Sequence, residues 1–269
     1  MKKNISVRHS ANIGDSIASL AGLRGFWENT GQKFVYMQEL NVEGIYHNNY
    51  YHPTQEGGKQ VMCNKGMFDM IKPLIEAQPY IERFEEFKGQ NVVVDFNKIR
   101  GEIEVNMPYG SLQSWYMLAF PDLAYDISQS WVDVPEREFV PGLCGKILIN
   151  FTNRYRNQFI HYYFLKKYQK ELLFIGNQKE RDEFCKKWDL DINLLVVDNF
   201  LQLAQIMKLS KFLLGNQSFC WNLNRALGLP SILEMYPTAP NCTPFVGKDN
   251  YGFYHQRALE YYFNKLANK

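Results

Sequence analysis

The segment Gly215–Pro230 combines residue types that can bind an anion. The apolar run Lys211–Leu214 leads into small polar residues, and a helix is predicted to follow them. Where a strand, a loop and a helix N-terminus meet, backbone N–H groups and the positive end of the helix dipole face the same space. The segment therefore predicts a phosphate site at Asn216, Gln217 and Ser218. The alternative is an ordinary turn capped by Ser218 or Asn216.

A second polar loop adds two arginines. The residues Asn153-Arg154-Tyr155-Arg156-Asn157 follow a predicted strand, Ile147–Phe151. A guanidinium group matches phosphate oxygens bidentately, so Arg154 and Arg156, with Asn157 beside them, suit a diphosphate. The alternative is that both arginines are merely solvated at the start of a helix.

Two more candidates follow predicted strands of the second half of the chain. Gly176 begins the polar loop after the strand Leu172–Ile175, and Glu234 ends the strand Ser231–Glu234. An acidic residue after a sheet strand accepts hydrogen bonds from a ribose diol in other nucleotide-binding folds. Glu234 is therefore predicted to hold a ribose, and Gly176 to line the same site.

A carboxylate near the N-terminus is the candidate general base. Asp15 lies in a loop with Asn12 and Gly14, between the strand Ile5–His9 and a predicted helix. There it could cap the helix, or it could point into a cleft beyond the strand ends and accept a proton. His9 is a second candidate base, and a hydrogen-bonded core histidine is the alternative for it.

The first half of the chain opens with a βαβ unit. A helix over Ile17–Asn29 and a strand over Lys33–Met37 follow the first strand, as in a parallel α/β sheet. The next segment, Glu43–Asn64, is predicted to be irregular. A helix is expected over Phe68–Phe84 with an interruption at a proline, and a strand over Asn91–Phe96.

The second half alternates strands and helices again, after a Pro- and Gly-rich linker at 135–145. Its remaining predicted elements are the strands Leu194–Val197 and Phe212–Leu214 and the helices Phe159–Lys170, Glu180–Trp188, Asn199–Leu209 and His255–Lys265. The pattern predicts an α/β protein of two Rossmann-like domains, 1–141 and 142–269, whose parallel sheets face each other across an interdomain cleft. That the last helix returns to the first domain stays open.

Composition limits the class of protein. Thirty Lys and Arg against 28 Asp and Glu argue against broad electrostatic binding of nucleic acid. The five cysteines are scattered without a C-x-x-C pair, so we expect free thiols and a reducing compartment. No segment approaches the length of a membrane span, so a cytoplasmic protein is expected.

Three motifs carry a resemblance to a known family. They are Gly215-Asn216-x-Ser218-x-x-x-x-Leu223-x-x-Ala226-Leu227-Gly228-x-Pro230, Leu173-Phe174-Ile175-Gly176 with Glu180, and Ile13-Gly14-Asp15. Together they resemble the ADP-heptose:lipopolysaccharide heptosyltransferases, glycosyltransferase family 9, over most of the second domain and the first forty residues. The resemblance implies a GT-B fold, inverting transfer from a nucleotide-diphosphate sugar, no required metal, and Asp15 as the catalytic carboxylate.

The chain departs from the family pattern at the phosphate loop. Gln217-Ser218-Phe219 stands where the family reads Asp-Thr-Gly, Asn222 replaces a histidine, and Arg154 or Arg156 replaces a lysine. The chain thus resembles a divergent group of heptosyltransferase-like proteins that carry Arg-Tyr-x-Asn and Gly-Asn-Gln-Ser, some of them phage-encoded.

The function expected from these features is that of an inverting, metal-independent glycosyltransferase. Its partners would be a nucleotide sugar, bound by the second domain, and a glycan or other hydroxyl acceptor on the side of the first domain, with no cofactor and no nucleic acid. The alternative is a catalytically inactive GT-B-like binding or structural module. The altered phosphate loop and the short first domain favour that alternative.

Overall fold

The structure is a computed structural model, and it describes residues 4–44, 54–100, 111–136, 142–236 and 247–269. The chain divides into two compact units, Met1–Val134 with Asp198–Leu201, and Pro135–Val197 with Gln202–Lys269. The sequence places this boundary at residue 141, within the same Pro- and Gly-rich segment.

The first unit is built on a four-stranded parallel sheet. Its elements are β1 (Ile5–His9), α1 (Ile13–Thr30), β2 (Phe34–Gln38), β3 (Gln55–Glu56), β4 (Lys59–Gln60), α2 (Lys65–Glu76), β5 (Ile81–Glu86), β6 (Val94–Asp95), a 3-10 helix (Phe96–Arg100), α3 (Leu112–Ala119) and a 3-10 turn (Pro121–Leu123). The sheet order is β5-β2-β1-β6, and β3 and β4 form a separate antiparallel pair.

Helix α1 begins four residues earlier than the sequence predicts. Asn12 is its N-cap residue, so Gly14 and Asp15 lie in its first turn rather than in a loop. The helix ends at Gly31, which has a left-handed φ of 70° and donates its N–H to Trp27 O at 2.7 Å. Asp15 is therefore held by a rigid helical turn directly after β1.

The first unit differs from the sequence prediction in three places. The second half of the helix expected at Phe68–Phe84 is the edge strand β5, because the helix stops at Glu76 and a turn follows, in which Gln78 N–H donates to Ile75 O and Gln78 O accepts from Ile81 N–H. The strand expected at Asn91–Phe96 is reduced to β6, because a 3-10 helix starts at Phe96. Helix α3 was not predicted, because its eight residues lie in an aromatic segment without a clear period.

The second unit contains a five-stranded parallel sheet. Its elements are β7 (Ile147–Asn150), a 3-10 helix (Tyr163–Tyr168), β8 (Leu172–Phe174), α4 (Gln178–Trp188), α5 (Phe200–Lys208, whose first two residues belong to the first unit), β9 (Phe212–Gly215), α6 (Phe219–Ala226), β10 (Ser231–Glu234), β11 (Asn250–Phe253) and α7 (Gln256–Ala267). The sheet order is β11-β10-β9-β7-β8. Helix α7 packs on β10 and β11.

Differences from the sequence prediction concern short elements. The helix expected at Phe159–Lys170 is only a 3-10 helix, because Asn157 Oδ1 accepts from Phe159 N–H and Gln256 Oε1 from His161 N–H, outside any helical ladder. The strand expected at Leu194–Val197 is a single bridge from Leu194 to Phe174. Strand β11 was not predicted, because Asn250-Tyr251-Gly252-Phe253 has no apolar run.

The interior of the second unit is aromatic and aliphatic. Phe151 stacks on Phe184 at 4.9 Å, and Tyr162 lies 4.7 Å from Phe151, within one cluster of buried residues. The cluster includes side chains of β7 and β8, and also Phe151 and Tyr162, which lie before and after the arginine loop in the chain. Both sides of that loop are therefore anchored in the core. The Arg-containing loop thus rests on a rigid base.

The described cysteines, Cys63, Cys144, Cys185 and Cys220, are free thiols, as expected; Cys242 lies outside the described residues. Over the described ranges, no helix is both long and apolar enough to cross a membrane.

Candidate functional site

The carboxyl ends of β7, β9 and β10 meet at one edge of the second sheet. Asn150 at the end of β7 is in register with Gly215 at the end of β9, and Leu233 of β10 is in register with Gly215 on the other side. A Cβ atom on Gly215 would lie 2.4 Å from the backbone oxygen of Asn150. Only glycine therefore allows these two strand ends to approach so closely.

The Ser218 side chain stabilises the turn after β9. It caps α6 by accepting from Trp221 N–H at 3.1 Å, and it donates to Asn150 Oδ1 at 2.6 Å. The hydroxyl is therefore already used twice within the protein, and Ser218 is only 8% exposed. What this turn can offer an anion is the backbone N–H groups before Trp221 and the helix dipole.

Asn216 connects this turn to the arginine loop. Its side chain is completely buried, accepts from Thr152 N–H at 3.0 Å, and donates to the backbone oxygens of Thr152 (3.0 Å) and Arg154. Asn216 thus holds the loop after β7 against the turn after β9. The neighbouring Gln217 is half-buried in the same turn.

Arg156 is fixed by two kinds of contact. Its Nε lies 3.2 and 3.3 Å from the two carboxylate oxygens of Glu234, and its guanidinium carbon lies 4.4 Å from the centre of the Phe151 ring. Among the described residues, no hydrogen bond from its Nη1 or Nη2 is present. The group therefore has a defined plane and direction, and its outer edge is available to a ligand.

Glu234 is a buried anion with several donors. Its side chain is 0% exposed and also accepts from the backbone N–H of Asn157 and from the Tyr162 hydroxyl. Burial, and then the charge of Glu234, raise the pKa of Tyr162 well above its usual value, so Tyr162 stays a neutral donor. The structure thus places the Glu234 carboxylate in the protein interior, surrounded by donors of the protein itself, and its role in holding a ribose stays a prediction.

The rest of the arginine loop has an unusual backbone. Tyr155, between the two arginines, has a left-handed φ of 52°, which for an aromatic residue costs on the order of 1–3 kcal/mol. Its ring packs 5.9 Å from that of Tyr236, and the half-buried Arg154 lies 5.7 Å from the Tyr155 ring. Asn157 Nδ2 donates to Tyr254 O at 2.9 Å and closes the loop. Backbone strain of this kind is concentrated at ligand sites.

Glu180 is a carboxylate at this edge that belongs to one of the resemblance motifs but was given no ligand-binding role from the sequence. It lies in the first turn of α4, and a Cβ atom on Gly176 would lie 3.3 Å from its Oε2. Burial raises the pKa of Glu180, while the backbone N–H of Asn177 and the charge of Arg154 oppose that rise. The available sequence signal was its place in the first turn after Gly176-Asn177.

His9 is a core residue of the first unit. It is 1% exposed; Nε2 lies 2.7 Å from the Tyr116 hydroxyl and Nδ1 lies 3.3 Å from Ser16 Oγ. The ring also contacts Tyr36 and Phe96 edge-on. His9 thus supports the start of α1 from inside the unit.

Asp15 lies beside this network, in the first turn of α1. It is 7% exposed, and its negative charge there complements the helix dipole. Burial above all raises the pKa of Tyr36, and the nearby charge of Asp15 contributes. Asn12 and Gly14 flank it, and the Asn12 oxygen accepts the N–H of Ser16 at 3.0 Å.

The structure therefore collects the predicted residues in two groups. Asp15, His9, Asn12 and Gly14 lie at the end of β1 in the first unit. The second unit gathers the others at the strand ends of its sheet: Arg154, Arg156, Asn157, Gly176, Asn216, Gln217, Ser218 and Glu234. No group of three or more His, Cys, Asp or Glu residues suited to a metal occurs in the described part of the chain.

Comparison with known proteins gives matches only at the level of structure. No protein-family model matches the chain, and no curated protein matches it in sequence. The structure is similar to that of E. coli heptosyltransferase WaaC with ADP-2-deoxy-2-fluoro heptose, with a TM-score of 0.60 and 11% identity over 98% of this chain and 99% of that one.

Two further solved structures give the same result. The glycosyl transferase family 9 protein from Veillonella parvula has a TM-score of 0.57 and 10% identity over 99% of this chain and 89% of its own. E. coli ADP-heptose lps heptosyltransferase II has a TM-score of 0.54 and 12% identity over 99% of both chains. The similarity extends over both units, and the chain therefore has the GT-B fold of these glycosyltransferases.

Proposed function

We propose that the protein is a glycosyltransferase that moves a sugar from a nucleotide-diphosphate donor to a hydroxyl acceptor. The observation that carries the proposal is Arg156, whose outer guanidinium edge is held available at the strand ends of the second unit. The fold supports it, because WaaC, which shares that fold, was solved with an ADP-sugar derivative.

The donor diphosphate would bind to Arg156, Arg154 and the backbone N–H groups of the turn after β9. A guanidinium fork and a helix N-terminus both complement phosphate oxygens without a metal ion. Asn216 and Ser218 would keep these groups in place rather than contact the donor, because their side chains are engaged within the protein.

The donor ribose would bind to Glu180 rather than to Glu234. Glu234 is completely buried and surrounded by donors, whereas the Glu180 carboxylate lies beside Gly176 and is subject to the charge of Arg154. A partly buried carboxylate accepts hydrogen bonds well from a diol. This assignment replaces the role that the sequence suggests for Glu234.

Asp15 would act as the general base of an inverting transfer. It takes the proton of the acceptor hydroxyl as that oxygen attacks the anomeric carbon, and the bond from this carbon to the diphosphate oxygen breaks. The departing diphosphate gains negative charge, which Arg154, Arg156 and the N–H groups would stabilise without a metal. His9 would keep Ser16 and the start of α1 in position, because both of its nitrogens face buried partners.

A thermal-shift panel tests this proposal. ADP-, GDP-, UDP- and CMP-linked sugars and the free nucleotides are added to the full chain, and a ligand at a hundred times its dissociation constant adds about 2.7 kcal/mol of stability. We expect a shift with one nucleoside diphosphate series and then release of that diphosphate in the presence of a hydroxyl acceptor. Absence of any shift would contradict the proposal, and a shift without turnover would favour the inactive module.

A further inference from the structure

Arg156 and Glu234 form an ion pair whose two members differ sharply in exposure. The Glu234 side chain is 0% exposed and that of Arg156 is 22% exposed. Burying a carboxylate is unfavourable unless donors surround it, and here Arg156, Asn157 and Tyr162 supply those donors. Such pairs contribute little to stability on balance, so the arrangement calls for another explanation.

Glu234 and Phe151 together set the orientation of the guanidinium group. The Phe151 ring packs against one face of the guanidinium group, and both carboxylate oxygens of Glu234 accept from Nε. The first contact fixes the plane of the group and the second fixes its rotation within that plane. Nη1 and Nη2 then point away from Glu234, which is the geometry for bidentate binding of phosphate oxygens.

We infer that Glu234 is a positioning residue, which aims the guanidinium of Arg156 at the diphosphate of the donor. This inference rests on the proposed function. It differs from a ribose-binding role because Glu234 never touches the ligand and acts only through Arg156. Phe151 contributes to the same positioning, since its ring packs against one face of the guanidinium group.

Charge and positioning predict opposite effects when Glu234 is neutralised. A negative carboxylate close to the anion site repels a diphosphate, so by Coulomb attraction alone Glu234→Gln strengthens anion binding. If Glu234 orients Arg156, the same change weakens binding, because the guanidinium group is then free to move before binding and loses that freedom when the ligand binds. The sign of the change therefore separates the two roles.

The experiment is calorimetric titration of the full chain with inorganic pyrophosphate and with the nucleoside diphosphate found in the thermal-shift panel. We expect Glu234→Gln to raise both dissociation constants about tenfold, the loss expected for one well-oriented bond to a charged group. Ser231→Ala is the matched control. It removes a partly buried hydrogen bond to Asn250 at the other end of β10 and leaves Arg156 untouched.

A second variant decides the outcome if Glu234→Gln does not fold. Arg156→Lys keeps the positive charge and loses both Nε and the planar fork, so positioning predicts the same weakening and simple charge attraction predicts almost none. Unchanged or tighter binding by a folded Glu234→Gln, or by Arg156→Lys, would overturn the inference and leave the proposed function standing. Failure of the wild-type chain to bind either probe would instead overturn both.

Discussion

Two glutamates at the same sheet edge have opposite environments. Glu234 is fully buried among three donors, whereas Glu180 lies at the start of α4 with its pKa raised by burial. From the sequence, the position of each glutamate after a strand suggests that its side chain contacts a ligand. Only the long-range partners, Arg156 and Tyr162 for Glu234, separate the interior carboxylate from the one beside Gly176.

Glu180 gives a prediction about pH. Its pKa is higher in the folded protein than in the unfolded chain, so its ionised form destabilises the fold above the folded pKa, and this penalty disappears below the unfolded pKa of about 4.3. Glu180→Gln should therefore raise the free energy of unfolding at pH 7 and leave it nearly unchanged near pH 4. Urea denaturation at the two pH values measures this, and an equal effect at both would contradict it.

Asp15 gives the main prediction about catalysis. Asp15→Asn keeps the size and helical position of the side chain but removes the proton acceptor, so turnover should fall by roughly 100-fold or more while donor binding is retained. Release of nucleoside diphosphate measures turnover and calorimetry measures binding. Asp69→Asn, an exposed carboxylate of α2, is the control. Undiminished turnover of Asp15→Asn would remove Asp15 from the mechanism.

Ser218 gives a prediction about stability. Ser218→Ala loses the cap of α6 and leaves Asn150 Oδ1 without its donor, which should cost about 1–3 kcal/mol of unfolding free energy. The loss should appear in stability more than in nucleotide affinity, because the hydroxyl is already engaged. Ser111→Ala, the cap of α3 in the first unit, is a matched comparison. A large loss of affinity with unchanged stability would show that the hydroxyl contacts the ligand.

At the scale of elements, the site depends on how closely β7 and β9 approach. The backbone oxygen of Asn150 occupies the space that a side chain at Gly215 needs. Because that oxygen belongs to a strand rather than to a flexible side chain, it cannot move without disturbing the sheet. The loops carrying Arg156 and Ser218 are therefore set by the spacing of their strands.

Gly215→Ala tests this spacing. The added methyl group must separate the strand ends, and overpacking of this kind costs about 1–3 kcal/mol. Chemical denaturation should show the loss, with weaker nucleotide binding as a consequence. Gly66→Ala in α2 is the control: its nearest neighbour is Asn64 Oδ1 at 3.6 Å, so we expect a gain of up to about 1 kcal/mol. Equal stability of the two variants would contradict the account.

The sequence was informative for long elements and for strand ends. Apolar runs predicted β1, β2, β7, β9 and β10, and the polar residues after them are the candidate site residues. Short or polar elements such as β11 gave no signal, because Asn250–Phe253 is held by its register with β10 rather than by its own composition. The roles of Glu234, Ser218 and Asn216 could not be read either, since each depends on partners more than sixty residues away.

At the scale of the whole molecule, the chain shares its fold with proteins that it hardly resembles in sequence. Identity to E. coli WaaC is 11% although the structures agree over 98% of this chain at a TM-score of 0.60. A pattern of buried strands and helices can be kept by many sequences of similar hydrophobicity. Activity in any fold depends instead on a few side chains of the site, and Gln217, Phe219 and Asn222 are among those that depart from the resembling family.

The most direct test of the account is calorimetric titration of a nucleoside diphosphate into the wild-type chain and into Arg156→Gln. We predict saturable one-to-one binding by the wild type and a dissociation constant at least about tenfold higher for the variant, because two charge-assisted hydrogen bonds to the diphosphate are lost. Equal affinity of the two proteins, or no binding of any nucleoside diphosphate by the wild type, would contradict the claim that the strand ends of the second unit hold the donor.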